Sequence, residues 1–258
     1  MENTVLYSLD DRHVATITYN RPDQLNRING DFRRDVNDAW NRFREDEDAW
    51  VAIVTGAGEA FCAGADHNEG GAAGTWPGSF WEIPTVNSFE SGMEISKPII
   101  AAVNGVCQGY GLTGALACDF IIAAESATFG FQEVRKGIST ANGAMRLPGK
   151  IGWQYGMEML LTGDMIDADR ALEIGLAGWV VPDDELMDAA QHMADRLLQG
   201  APLAQRAVKE MAWRGQRLPW GDSLRMGETM RRVVRATDDA KEGVAAFKEG
   251  REPRWTGR

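Results

Sequence analysis

Three short stretches combine residue types that could do chemistry: AFCAGADH at 60–67, QGYGL at 108–112 and FGFQEVRKGI at 129–138. In the first two, glycine and alanine follow a β-prone run, so backbone N–H groups can approach a ligand without side-chain obstruction. Two such loops that converge make a pair of donors able to hold negative charge as it develops on a carbonyl oxygen. Tight turns that need small residues for packing are the better account of either loop alone; the pair is more informative than its members. The third stretch carries Glu133, which is either a proton-transferring carboxylate or a surface acid paired with Arg135 or Lys136.

The elements that must position these stretches read as an alternating α/β pattern. VLYSL and HVATITY, at 5–9 and 13–19, are short β-prone runs joined at Asp10-Asp11, a hairpin signature. RPDQLNRIN is then a loop, because Pro22 removes a donor and restricts Arg21. Phe32, Val36, Trp40 and Phe43 recur at helical spacing, and VAIVTG at 51–56 is a buried-strand candidate. A second round runs from PIIAAVNG through a helix at 111–117 to FIIAA, and then to ATFG and a glycine-punctuated loop reaching Gly143. WQYGMEMLLTG and DADRALEIG read as helices closed by glycine, and WVVPDD as one more strand. From Glu185 the pattern is helical, broken near Gly200-Ala201-Pro202, Leu218-Pro219 and Ala236-Thr237. The longest irregular stretch, 67–89, is rich in aromatics (Trp76, Phe80, Trp81, Phe89), which favours a functional loop over a linker.

Composition excludes several classes. The chain has 258 residues, 44% of them hydrophobic, enough for one main domain. Its net charge of −11 argues against a surface that holds nucleic acid by phosphate contacts. Cys62, Cys107 and Cys118 read as buried free thiols of a reducing compartment, and His13, His67 and His192 make no metal motif. The N-terminal residues lack the apolar run of a signal peptide and no stretch reaches membrane-spanning length, so the expectation is a cytoplasmic protein with neither nucleic-acid nor membrane partner.

The order and spacing of RPDQLNRIN, VAIVTGAGEAFCAGAD, KPIIAAVNGVCQGYGLTGALACDFIIAAESATFGFQEVRKGI, MEMLLTGDMIDADRALEIGLAGWVV and DDAKEGVAAFKEGREPRWTGR resemble the crotonase, or enoyl-CoA hydratase/isomerase, superfamily across nearly the whole chain. The resemblance implies an α/β fold, a spiral of β-β-α units over residues 1–195. It also implies a C-terminal helical region over 196–258 through which the chain assembles as a trimer or dimer of trimers. It implies an acyl-CoA thioester substrate, with coenzyme A entering only as part of that substrate and no separate cofactor or metal. The thioester enolate would be held by the N–H groups of Ala65 and Tyr110, the flanking glycines permitting the turn while the tyrosine acts through its backbone.

Many members carry two acids; here the later position is Glu133 and the earlier one is Thr113. The Thr113 hydroxyl either bonds a water or substrate oxygen in the pocket or bonds a backbone carbonyl one turn back. By the same resemblance, Asp23, Gln24 and Leu25, together with Ala63, Asp66, His67 and Gly109, approach coenzyme A. Lys248 and Arg251 either stand in for a C-terminal lysine whose place Gly250 occupies or are solvated surface charges, and Trp76 and Trp81 either cover the acyl group or are core or trimer-interface residues. The reading is an enoyl-CoA hydratase. An enoyl-CoA isomerase that shuttles one proton with Glu133 is the alternative, followed by a catalytically weak acyl-CoA-binding protein.

Overall fold

The computed structural model describes residues 3–66 and 88–258. The hairpin forms as expected: β1 (Val5–Leu9) pairs antiparallel with β2 (Val14–Tyr19), in a register that sets Val5 opposite Tyr19. β3 (Val51–Gly56), β5 (Ile99–Val103), β7 (Phe120–Ala124) and β10 (Trp179–Val181) continue the sheet in parallel, in the order β1-β2-β3-β5-β7-β10. β3 and β5 are almost uniformly buried because both faces of the sheet are covered, which is why they read as unbroken apolar runs.

The two faces have different covers. Alternate residues such as Ile17, Val54, Ala101 and Ile121 join a large core that includes α1 (Gly30–Glu45), which buries Phe32, Val36, Ala39, Trp40 and Phe43. The Asn29 side chain caps that helix by accepting from the Phe32 N–H at 2.9 Å. The other set, Ile53, Ile100, Ala102 and Ile122 among them, packs against Leu186, Ala190, Met193 and Ala194 of α6 (Leu186–Leu198). α6 therefore belongs to the α/β layer, and the expected boundary after residue 195 falls inside this helix.

A second, smaller sheet has the order β4-β6-β8-β9, made of β4 (Ala60–Cys62), β6 (Val106–Gln108), β8 (Thr128–Gly130) and β9 (Met165–Asp167). β4, β6 and β8 run parallel, and β9 pairs antiparallel with β8. α2 (Tyr110–Ala117) follows β6, and its Gly111 lies so close to β4 that a Cβ there would stand 2.3 Å from the Cys62 carbonyl oxygen. Cys62, Cys107 and Cys118 are free and buried, and burial pushes the Cys62 and Cys118 thiols up to about 12.

One expectation is corrected. The glycine-punctuated segment is not a loop through Gly143: helix α3 (Ala141–Ile151) begins before that residue and runs through Pro148. Its Gly, Asn and Pro residues resemble a turn sequence, but burial of Leu147 and Ile151 and the contact of Gly143 with the Phe131 ring outweigh their low helix propensity. Pro148 forgoes one helical hydrogen bond and packs against Gly156 of α4 (Trp153–Thr162). α5 (Ala168–Glu173), α7 (Pro202–Gly215), α8 (Trp220–Arg235) and α9 (Asp238–Glu249) lie where the periodicity and the breaks at Pro202, Pro219 and Thr237 place them. No helix among the described residues is long and apolar enough to cross a membrane.

Candidate active site

The three loops singled out in the sequence leave the small sheet side by side. β4, β6 and β8 are parallel neighbours, so the segments that follow them emerge from one edge, the carboxyl end of the strands, where open α/β sheets bind ligands. The loops also touch. The Gln108 amide donates to the Ala63 carbonyl at 2.8 Å, and the Gly109 N–H donates to the Gly130 carbonyl at 3.0 Å. Gly64 and Gly109 have φ of 88° and 57°, backbone that a side chain would strain. A Cβ on Gly109 would stand 2.9 Å from Glu133 Oε1 and 3.7 Å from Gly64 Cα, so this glycine lets all three segments meet.

Two backbone donors are left over where the loops converge. Around Ala65 the chain is zipped to residues 25–28: Ala63 N–H donates to Leu25, Ile28 N–H to Gly64 and Asp66 N–H to Ile28, at 2.9–3.0 Å. In this parallel bridge the Ala65 N–H points away and meets no acceptor among the described residues. Tyr110 is the first residue of α2, where a helix has no acceptor for its own N–H groups, and no other described residue supplies one.

Glu133 lies on a short 3₁₀ turn, Gln132–Lys136, closed by Gly137 at φ 71°. Its neighbour Arg135 is engaged elsewhere, with Asp164 and, at 2.7 Å, the Thr162 carbonyl, so the surface-pair alternative with Arg135 does not hold. Glu133 Oε2 is buried and has no hydrogen-bond partner among the described residues. Burial pushes the carboxyl above the usual carboxylate range; its own N–H and the charge of Lys136 offset this only in part.

A cavity of about 620 Å³ opens over these groups, lined by Ala63, Gly64, Ala65, Gly109, Tyr110, Thr113 and Glu133. Thr113 Oγ1 donates to the Gly109 carbonyl at 3.1 Å, the arrangement that leaves its hydroxyl proton committed to the helix. Leu25 adjoins Ala63, while Asp23 and Gln24 are exposed on the neighbouring turn outside the cavity lining. Asp66 is buried, ion-paired with Arg21 at 3.4 Å, and is not among the described residues that line the cavity. Neither Lys248 nor Arg251 reaches this cavity within one chain: Lys248 lines a separate groove with Phe247, and Arg251 is ion-paired with Glu242 and Glu249. The expectations for His67, Trp76 and Trp81 fall outside the described residues.

The cavity also holds residues that the motifs did not flag: Arg33 of α1, Glu90, Lys136 and Asn142. Arg33 flanks the apolar stripe of its helix, where a solvated charge is the ordinary reading, and Glu90 is one of two acids in FESGMEISK. Only its burial, inconsistent with an unpaired surface acid, marks it out.

Comparison with known proteins gives the family of the chain. The family model described as enoyl-CoA hydratase/isomerase matches residues 10–258, and the chain belongs to that family, with the crotonase fold. It is 38% identical over 253 residues to the (E)-benzylidenesuccinyl-CoA hydratase of Thauera aromatica, covering 95% of this chain and 96% of the relative. It is 37% identical to the carnitinyl-CoA dehydratase of Proteus mirabilis, covering 95% of each. A crystal structure of enoyl-CoA hydratase from Mycobacterium tuberculosis superimposes with a TM-score of 0.90 at 35% identity, covering 100% of both chains.

Proposed function

We propose that the protein is an enoyl-CoA hydratase. The observation that carries this reading is Glu133 Oε2, a buried carboxylate oxygen without a partner among the described residues, beside two loops that each leave a backbone N–H unused there. The thioester carbonyl of a 2-enoyl-CoA accepts from Ala65 N–H and Tyr110 N–H, which draws electron density toward oxygen and makes Cβ electrophilic. Glu133 takes a proton from water as the water oxygen bonds to Cβ; the enolate charge rests on the oxygen between the two N–H groups. Glu133 then returns the proton to Cα, so water is added and the carboxylate is regenerated. A raised pKa suits a group that must both accept and release a proton near neutrality.

Supporting residues follow from the same placement. Gly109 gives the backbone its approach, and Ala63 with Leu25 forms the rim over which the coenzyme A portion runs, toward Asp23 and Gln24. Lys248 and Arg251 are read as reaching the CoA phosphates of a neighbouring subunit. Exposed Trp220, Leu224, Val233 and Phe247 on the last helices support that self-association as a trimer or dimer of trimers. Buried free thiols support a reducing, cytoplasmic setting.

One observation favours a second reading. Thr113, whose hydroxyl is committed to Gly109, supplies no second acid, and a single carboxylate suffices for an enoyl-CoA isomerase that moves one proton between Cα and Cγ. Turnover of 2-enoyl-CoA and 3-enoyl-CoA thioesters in ¹⁸O-labelled water, followed by mass analysis, tests the two. Hydration incorporates the label, isomerisation leaves the product free of it, and binding without turnover leaves an acyl-CoA-binding protein.

A further inference from the structure

The wall of the cavity beyond Tyr110 is charged. Arg33, from the first turn of α1, holds its guanidinium carbon 5.0 Å over the Tyr110 ring, and its side chain is 38% exposed where it lines the cavity. The backbone N–H of the same tyrosine is one of the two free donors, so Arg33 stands one tyrosine side chain away from the position assigned to the thioester oxygen. Beside it lies Glu90, which also lines the cavity and whose side chain is 5% exposed. Glu90 Oε1 accepts from Ser88 Oγ at 2.7 Å and meets Arg33 Nη1 only at 3.5 Å.

The guanidinium is therefore under-bonded. It has five N–H donors in a planar fork, and among the described residues only one terminal nitrogen has a partner, at a long distance. The carboxylate beside it is served better by Ser88 than by the arginine. Lys136 is a second cation lining the cavity, on the side of Glu133, while Arg146, outside the lining, donates from Nη2 to the Glu90 main-chain carbonyl at 3.2 Å. In a chain of net charge −11, a cavity-lining guanidinium with donors to spare matches an anion with planar, two-oxygen geometry.

We propose that the acyl group of the substrate carries a second, free carboxylate, held by Arg33: the enzyme takes the CoA monothioester of a short dicarboxylic acid. This rests on the acyl-CoA reading above and names the substrate class. The far carboxylate accepts from the outward-facing N–H groups of Arg33, while Glu90, fixed by Ser88, holds the arginine from the side and Tyr110 supports it from beneath.

Binding of saturated analogues tests this without any turnover. Hexanoyl-CoA and adipoyl-CoA share chain length and the whole coenzyme, and differ only in the terminal carboxylate. The wild type is expected to bind adipoyl-CoA at least about tenfold more tightly, with an optimum of length in a series from succinyl- to suberoyl-CoA. In Arg33→Gln the adipoyl-to-hexanoyl ratio falls to about one, and Arg33→Lys retains part of it. Equal wild-type affinities would overturn the proposal. So would an Arg33→Gln variant that weakens both ligands by the same factor, which would place Arg33 on the coenzyme or in the scaffold. Tighter binding of 4-trimethylammoniobutanoyl-CoA than of either would also overturn it, making Glu90 the reader of a cation. Because the wild-type comparison needs no variant, a misfolded Arg33→Gln cannot rescue or sink the idea. Because it needs no reaction, failure of hydration in labelled water is a separate result.

Discussion

Replacing Glu133 with glutamine isolates its proton from its packing. Oε2 has no hydrogen-bond partner among the described residues, so the amide breaks no bond seen there, and the side chain keeps its size against Gly109. What is lost is a basic oxygen. A positioned acid or base contributes about 10²–10⁴-fold, so kcat should fall by that factor, about 2.7–5.5 kcal/mol in the barrier, while the affinity for a saturated acyl-CoA holds. Stability should move the other way. Burial raises the folded-state pKa, so between the unfolded and folded values the native state binds more protons than the unfolded chain. This group therefore costs stability as pH rises through that window, and the cost persists at neutrality. Glu133→Gln removes it, so its melting temperature at pH 7 should equal or exceed that of the wild type, with the difference vanishing in acid below the ordinary glutamate range. In the wild type kcat/KM should decline as pH falls through the raised pKa, and the mutant should lack this limb. Rate measurements across pH beside thermal unfolding decide it. A Glu133→Gln enzyme with near-normal turnover, or one that keeps the acid limb, would refute the assignment.

Thr113→Val deletes a hydroxyl bonded to the Gly109 carbonyl, which still accepts from the Thr113 N–H at 2.9 Å. The expected cost is about 1 kcal/mol of stability by urea unfolding, with turnover inside a few-fold; a hundredfold loss of turnover would show that the hydroxyl serves the substrate. Gly111→Ala sets a Cβ 2.3 Å from the Cys62 carbonyl, and both partners are backbone. It should destabilise by about 1–3 kcal/mol or more, read as a fall in denaturant midpoint together with lost activity. Sedimentation should find a trimer or hexamer at micromolar concentration, and the double substitution of Trp220 and Phe247 by serine should shift it toward monomer; a wild type that stays monomeric contradicts the assembly.

Much of this was legible in the sequence because local rules and tertiary demands agree there. The hairpin at Asp10-Asp11, the Phe32–Phe43 stripe and the helix breaks at Pro202 and Pro219 each follow from nearest-neighbour chemistry. α3 was not legible, since ANGAMRLPGK is poor in helix formers and is helical only because Phe131, α4 and the core give Leu147 and Ile151 a place to go. Asp66 shows the opposite failure. A motif acid next to a donor loop invites a ligand role, and its ion pair with Arg21, far away in sequence, is visible only in the structure. Arg33 and Glu90 are separated by 57 positions, so no local pattern could join them.

A recurrence of paired strands, one in each sheet, builds the site. β3 enters the large sheet and β4 the small one; β5 and β6 do the same, and so do β7 and β8. Each round therefore ends its second strand at the same edge of the small sheet, displaced by one strand spacing from the last. A residue that follows the second strand of one round must lie beside its counterpart in the next, however far apart the two are in the chain. Ala65, Tyr110 and Glu133 each occupy such a position, after β4, β6 and β8 in turn. The convergence of the two N–H donors and the carboxylate is thus a property of the spiral rather than of any loop. The loops need only be small enough to stay out of the way, which is what Gly64 and Gly109 accomplish. Charge placed on the first helix, outside this recurrence, is free to vary without disturbing it, and Arg33 lies there.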